Sequence, residues 1–357
     1  MCRSTYYFPA KSMSEFDLIR RHFTRPTTGA LLGVGDDAAL LQINAGNVLA
    51  VSSDMLVCGT HFFADADPYL LGHKTLAVNL SDLAAMGAVP RWATLAIALP
   101  YGQSIGDFFP HPNPLPEGEG TNDLLRKIKI DDAWLERFSA GFFALAQRYG
   151  VDLVGGDTTR GPLNLCVTIM GEVPAQQALR RDGAEPGDDV WVSGNLGDAA
   201  LALAHLQGRV ALNDADFVSC TTALHQPQPR VALGLALRGI ANSAIDISDG
   251  LLADLGHILD ASRVGAQLDF AALSVSEAMR SQLDLVHAKQ CMLAGGDDYE
   301  LCFTAAPGHH AELSRIASEL SLPLTCIGKV IAGQGCVVHD GSGNPIQLKN
   351  GGYDHFR

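Results

Sequence analysis

The sequence predicts an α/β (α+β) chain of two domains, on three observations. At 357 residues it exceeds the size at which one apolar core usually stops growing. Short apolar runs suited to buried strands alternate with longer segments of helical apolar spacing, the pattern of mixed α/β layers. Hydrophobic residues make up 47% and charged ones 18%, a composition that can pack a core. The expected division is an N-terminal extension at 1–12, an N-terminal domain at 13–174 and a C-terminal α/β domain at 175–357.

The first domain opens on a helix-like segment, Ser14 to Phe23. In Leu32 to Asp54, Gly33 and Gly35 bracket Val34, and Asp36 and Asp37 stand side by side. Apolar Val48 to Val51 reads as a strand delivering Ser52, Ser53 and Asp54. Asp67 followed by Pro68 is an N-cap with proline at N1, so a helix should run to Met86, where Gly87 can take the left-handed cap. Leu76, Leu80 and Leu83 give its buried stripe, and Asn79 and Asp82 share a neighbouring face. Trp92 to Leu99 suits a buried strand. Residues 101–130 are dense in Pro and Gly and read as an exposed, disordered insertion. Asp132 is expected to cap a helix that buries Leu135, Phe138, Phe142 and Leu145 and stops at Gly150. Val151 to Val154 should be a short strand delivering a Gly155–Arg160 loop, with a further strand over Leu163 to Val173.

The second half begins with a turn, Gly183 to Asp188, and a strand over Val190 to Ser193. Gly194-Asn-Leu-Gly197 leads into an Ala/Leu-rich helix that ends at Gly208. A helix over Val231 to Leu237 precedes the Asp246–Gly250 loop, which opens another with Leu251, Leu255, Ile258 and Leu259 apolar. Strands over Leu301 to Thr304 and near Cys326 to Val330 complete the domain.

The formal charge of −14 argues against a nucleic-acid partner, which demands basic patches. The eight cysteines form no C-x-x-C, so zinc and dithiol redox chemistry are not indicated and a reducing cytoplasm fits. No apolar run approaches membrane-span length, and residues 1–12 lack the apolar core of a signal peptide.

Five Asp-rich stretches, most at the ends of apolar runs, carry the functional signal. They hold Asp36-Asp37 with Asp54, Asp82, Asp157, Asp246 with Asp249, and Asp297-Asp298 with Glu300. Carboxylate and hydroxyl oxygens suit a hard cation such as Mg²⁺. Several such loops point to a polynuclear site and to phosphoryl transfer from a metal nucleotide, which needs positioning and charge neutralisation more than covalent chemistry. Arg160 and Arg181 suit direct phosphate contact. Taken alone, His61 is a structural histidine and Asp249 is equally well an N-cap. No nucleophilic triad and no protein-kinase motif is present.

Seven motifs in order are GVGDDAAL (33–40), VSSDMLVCGTHF (51–62), KTLAVNLSDLAAMGA (74–88), LVGGDTTRGP (153–162), SAIDISDGLLADLGHI (243–258), GGDDYELCF (295–303) and GYDHF (352–356). Together they resemble the thiamine-monophosphate kinase family, within the aminoimidazole ribonucleotide synthetase superfamily. The resemblance implies that superfamily's two-domain fold, with an N-terminal domain that dimerises. It also implies ATP-dependent phosphorylation of thiamine monophosphate to thiamine diphosphate, the final step of that cofactor's synthesis, with several Mg²⁺ ions and direct transfer. By motif, Asp37, Ser52, Ser53, Asp54, Asp82, Asp157, Asp246 and Asp249 resemble metal positions, with Asp54, Asp82 and Asp157 the catalytic candidates. Gly156, Asp157, Arg181 and Ser248 match ATP contacts, and His61, Asp297 and Tyr353 match thiamine-phosphate contacts. The family usually has Glu where Asp297 stands. The competing readings are a sister activity of the superfamily and a non-catalytic divalent-metal protein. The terminal Tyr353 motif argues against the first, and the lack of an EF-hand loop against the second.

Overall fold

The computed structural model describes residues 15–100, 129–282, 286–348 and 352. The extension at 1–12, residues 101–128 of the expected insertion, and Tyr353 lie outside the described residues. Ile130 is fully buried, so the packed chain resumes before the insertion's expected end.

The first layer is a four-stranded sheet of order β1-β4-β2-β3. It comprises β1 (Asn47–Val57), β2 (Val89–Leu99), β3 (Asp152–Arg160) and β4 (Asn164–Pro174). Strand β4 pairs antiparallel with β1 and β2, whereas β2 and β3 run parallel. Two helices cover one face: α2 (Pro68–Ala85) and α3 (Asp132–Tyr149), after a short α1 (Glu15–Leu18) that runs into a π-turn, Ile19–Phe23. The Asp67 carboxylate accepts the Tyr69 and Leu70 N–H groups to start α2, as its Asp-Pro signal predicts. Asp131, one residue earlier than expected, caps α3 by accepting the Trp134 N–H at 3.2 Å. Asp132 is instead 2.8 Å from buried His22. The expected Gly155–Arg160 loop is the body of β3, where backbone pairing with β2 fixes it as strand. Ser52, Ser53 and Asp54 likewise sit inside β1 rather than beyond it.

Helices α2 and α3 cross at two glycines. A Cβ on Gly72 would lie 2.0 Å from the Phe138 carbonyl oxygen, and one on Gly141 1.9 Å from that of Tyr69. Only glycine permits so close a backbone approach.

The second layer is a six-stranded sheet of order β10-β7-β9-β5-β8-β6. Its strands are β5 (Asp189–Ser193), β6 (Ala241–Asp246), β7 (Gly265–Asp269), β8 (Leu301–Ala305), β9 (Leu324–Ile331) and β10 (Gly335–His339). Its helices are α4 (Asp198–Leu206), α5 (Asp214–His225), α6 (Val231–Ala236), α7 (Leu251–Ser262), α8 (Glu277–Arg280), α9 (Val286–Ala294) and α10 (His310–Leu320). Strand alternation divides its faces. Trp191, Leu301 and Phe303 join α6 and α10 in a core continuous with α2 and the first sheet. Val190, Val192 and Cys302 face the other way, toward α4, α7 and α9. Helix α2 thus lies between the two sheets, and its C-terminal half delivers Asp82 to the seam.

Candidate active site

A cavity of about 730 Å³ opens at that seam, with Asp54 of β1, Asp82 of α2, and Asp246, Ser248 and Asp249 from the β6–α7 connection on its wall. His61, Asp297 and Gly352 line it too. Asp82 and Asp246, far apart in sequence, meet because α2 and the end of β6 pack together.

The acids are crowded. Ser52 Oγ donates to Asp82 Oδ2 at 2.5 Å, and the Asp54 N–H donates to Asn79 Oδ1 at 3.2 Å. Burial, and next the Asp82 charge, push the Asp54 carboxyl up to about 7. Burial and then Asp82 push Asp246 up to about 8. Asp82 is raised by burial, against the hydrogen bond from Ser52 and the Arg181 charge. Burial is the largest cause of all three shifts, and neighbouring carboxylate charge adds to it at Asp54 and Asp246.

Asp254 was not expected. Its Oδ2 accepts the N–H groups of Ser248, Asp249 and Gly250 at 3.0, 3.0 and 3.1 Å, holding the loop that presents Ser248 and Asp249. The signal was present in the sequence as an acid in the first turn of an otherwise apolar helix. Lys74 and Tyr299 were also missed. Lys74 Nζ lies 2.8 Å from Asp297 Oδ1, and the Tyr299 hydroxyl donates to the same oxygen at 3.2 Å. Inside the same motif, Asp298 takes a structural part, accepting the Gly197 N–H at 2.9 Å. The Glu300 carboxylate accepts Ser193 Oγ at 2.5 Å and Arg230 Nε at 2.6 Å.

Other expected residues stand apart from this wall. Asp37 is exposed in the loop before β1. Ser53 faces outward, 3.0 Å from Thr168 Oγ1. Pairing puts Asp157 in one row with Ala96, Cys166 and Met55, so it shares the outward face with exposed Met55. Gly156 adjoins it at φ 150°, where a Cβ would meet the Leu95 carbonyl oxygen at 1.9 Å. Arg181 is exposed, though its charge reaches Asp82. His61 Nδ1 accepts the Val57 N–H at 2.9 Å, so in the neutral ring the proton sits on Nε2.

Models of the AIR synthase related protein match the chain in two blocks, the N-terminal domain at residues 35–173 and the C-terminal domain at 185–341. The thiamine-monophosphate kinase of Escherichia coli (strain K12) is 45% identical over 348 residues, covering 96% of this chain and 98% of its own. The crystal structure of thiamine-monophosphate kinase from Stenotrophomonas maltophilia K279a superposes with a TM-score of 0.74 at 49% identity, covering 89% of this chain and 92% of that one. AaThiL complexed with AMPPCP and TMP superposes at 0.71 with 26% identity, covering 99% and 100%. Joined to a cavity where acids from both sheets converge, these matches mean that the chain belongs to the AIR synthase related family and, within it, to the thiamine-monophosphate kinases.

Proposed function

We propose that the chain transfers the terminal phosphoryl group of ATP directly to the phosphate of thiamine monophosphate, yielding thiamine diphosphate and ADP, the last step in making that cofactor. The observation that carries the reading is the cavity wall, which gathers five carboxylates, Asp54, Asp82, Asp246, Asp249 and Asp297, together with His61. The reaction brings two anions together, and a wall of acids alone would repel both.

The donor set fits Mg²⁺. It is all oxygen, and burial with the neighbouring Asp82 charge drives Asp54 and Asp246 toward protonation, a balance that a bound cation would reverse. We assign the metal positions to Asp37, Ser52, Ser53, Asp54, Asp82, Asp157, Asp246 and Asp249. Bound Mg²⁺ would neutralise the phosphate charge and hold the reacting oxygens in line. The chain's own part is positioning. Asp254 fixes the loop of Ser248 and Asp249, and Ser52 and Asn79 fix Asp82 and Asp54. ATP contacts fall to Gly156, Asp157, Arg181 and Ser248, and thiamine-phosphate contacts to His61, Asp297 and Tyr353. Asp297 can accept a hydrogen bond from the aminopyrimidine or pair with the cationic thiazolium, on whose face Tyr353 can stack.

A homodimer is part of the proposal. Outward-facing Leu49, Val51 and Met55 of β1 are 38%, 57% and 54% exposed, an apolar strip on a sheet face that the helices leave uncovered. A second copy packed there would enclose Ser53, Gly156 and Asp157 as well. The domain boundary belongs between β4 and β5, near Pro174. Among the described residues no helix is long and apolar enough to cross a membrane, in line with a cytoplasmic site of action.

The test is direct: supply ATP, Mg²⁺ and thiamine monophosphate and follow thiamine diphosphate by chromatography. ATP consumption without thiamine diphosphate would overturn the reading in favour of a sister activity.

A further inference from the structure

We propose that Lys74 is a positioning residue for the substrate end of the cavity: from behind the wall it holds one oxygen of Asp297, so that the other meets the amine-bearing or cationic part of thiamine monophosphate. The inference rests on the reaction proposed above and adds a residue to its substrate site.

Lys74 lies on α2 with its side chain 3% exposed, and its ammonium is 2.8 Å from Asp297 Oδ1, whose side chain is 30% exposed. Lys74 does not itself line the cavity, whereas Asp297 does. An ammonium so buried persists only when paired, and among the described residues Asp297 is its ion-pair partner. The Tyr299 hydroxyl donates to the same oxygen at 3.2 Å. Both contacts fall on Oδ1, so Oδ2 is the oxygen left for a ligand.

The backbone around Asp297 is already constrained. Asp297 and Tyr299 have φ of 70° and 51°, a region that side-chain-bearing residues rarely occupy. The Asp297 N–H donates to the Ser248 carbonyl at 2.9 Å, and a Cβ on Gly296 would lie 2.4 Å from that same oxygen. The main chain is thus pinned to the β6–α7 connection, and the remaining freedom is rotation of the carboxylate. Lys74 and Tyr299 remove it. His225 also faces the pair; burial and the Lys74 charge lower its pKa against the pull of Asp297 and Asp65, so it brings no second cation.

The Asp297 carboxylate stands on a single methylene, so what it reaches depends on how it is aimed, which gives an anchor at Lys74 its value.

The experiment measures KM for thiamine monophosphate and for ATP in wild type, Lys74→Met, Asp297→Ala and the double variant, with melting curves for each. Lys74→Met should raise the thiamine-monophosphate KM about tenfold, the scale of one charge-assisted hydrogen bond, and leave the ATP KM unchanged. Because Lys74 acts through Asp297, the double variant should bind no worse than Asp297→Ala alone. If Lys74→Met does not fold, Lys74→Gln, which keeps a donor, takes its place, with a smaller rise confined to the same KM. An unchanged thiamine-monophosphate KM, an equal rise in both KM values, or a double variant showing the product of the single effects overturns the proposal. Absence of thiamine diphosphate from the wild type overturns the reaction and this inference together. Wild-type turnover with a silent Lys74 variant overturns this inference alone.

Discussion

Ser52 Oγ donates to Asp82 Oδ2 across 2.5 Å, tying the middle of β1 to the C-terminal half of α2 at the point where the acids converge. The bond orients Asp82 between Asp54 and Asp246, whose protons its charge helps retain. Asp82→Asn should therefore cut turnover by more than about a hundredfold at limiting Mg²⁺, beyond the usual cost of disturbing a ligand's supporting contacts. The melting temperature should hold or rise, because a repelling charge is gone. Turnover measured against Mg²⁺ concentration checks this; near wild-type rates at limiting Mg²⁺ would remove Asp82 from the metal site.

Stability of the metal-free protein should fall as pH rises. Asp54 and Asp246 are raised from 3.8 to about 7 and about 8, so the folded state binds more protons than the unfolded one between those limits. With more protons on the native side, the slope of stability against pH is negative there. Melting temperatures of chelator-treated protein should drop from about pH 4 to about pH 8, and Mg²⁺ should restore more at pH 8 than at pH 5. A flat profile would mean the acids are not crowded as described.

Asp254→Ala should loosen the Ser248–Gly250 loop. It strands three N–H groups that now share one carboxylate oxygen. Leaving such groups unpaired costs roughly 3 kcal/mol, readable by denaturant titration. The Mg²⁺ concentration for half-maximal turnover should rise as well. Unchanged Mg²⁺ dependence would make Asp254 purely a fold residue.

Glu300→Ala should be the most destabilising of these changes. It removes the partner of Arg230 and of Ser193 Oγ and leaves a largely buried guanidinium without its counter-charge. The expected loss is about 3–5 kcal/mol. A loss under about 1 kcal/mol, the scale of an exposed pair, would show that solvent replaces the carboxylate.

Local signals made much of this readable in the sequence. Asp67-Pro68, Gly87 and Gly150 marked helix ends that the chain uses, and the spacing of Leu76, Leu80 and Leu83 marked a buried stripe. Strands β7 and β10 escaped because each opens on glycine and has exposed positions, whereas β5 and β8, equally short, are buried throughout. The Gly155–Arg160 stretch misled because glycines and acids read as loop, while its strand character comes from pairing with β2. In the site, acids in apolar surroundings stood out one by one. Their supports did not: Lys74 meets Asp297 across more than two hundred residues of chain, and no local pattern announces that pairing.

The crossing at Gly72 and Gly141 gives α2 a role like that of a ruler. Lys74 and Asp82 are eight positions apart on that helix, so about 12 Å of axial rise separates them. Lys74 backs Asp297 from behind the cavity wall, and Asp82 lines the wall itself. Sliding the helix would carry both marks together, changing where each meets its loop while leaving the interval intact. The two glycines, which do not line the cavity, thus set where both side chains stand along it.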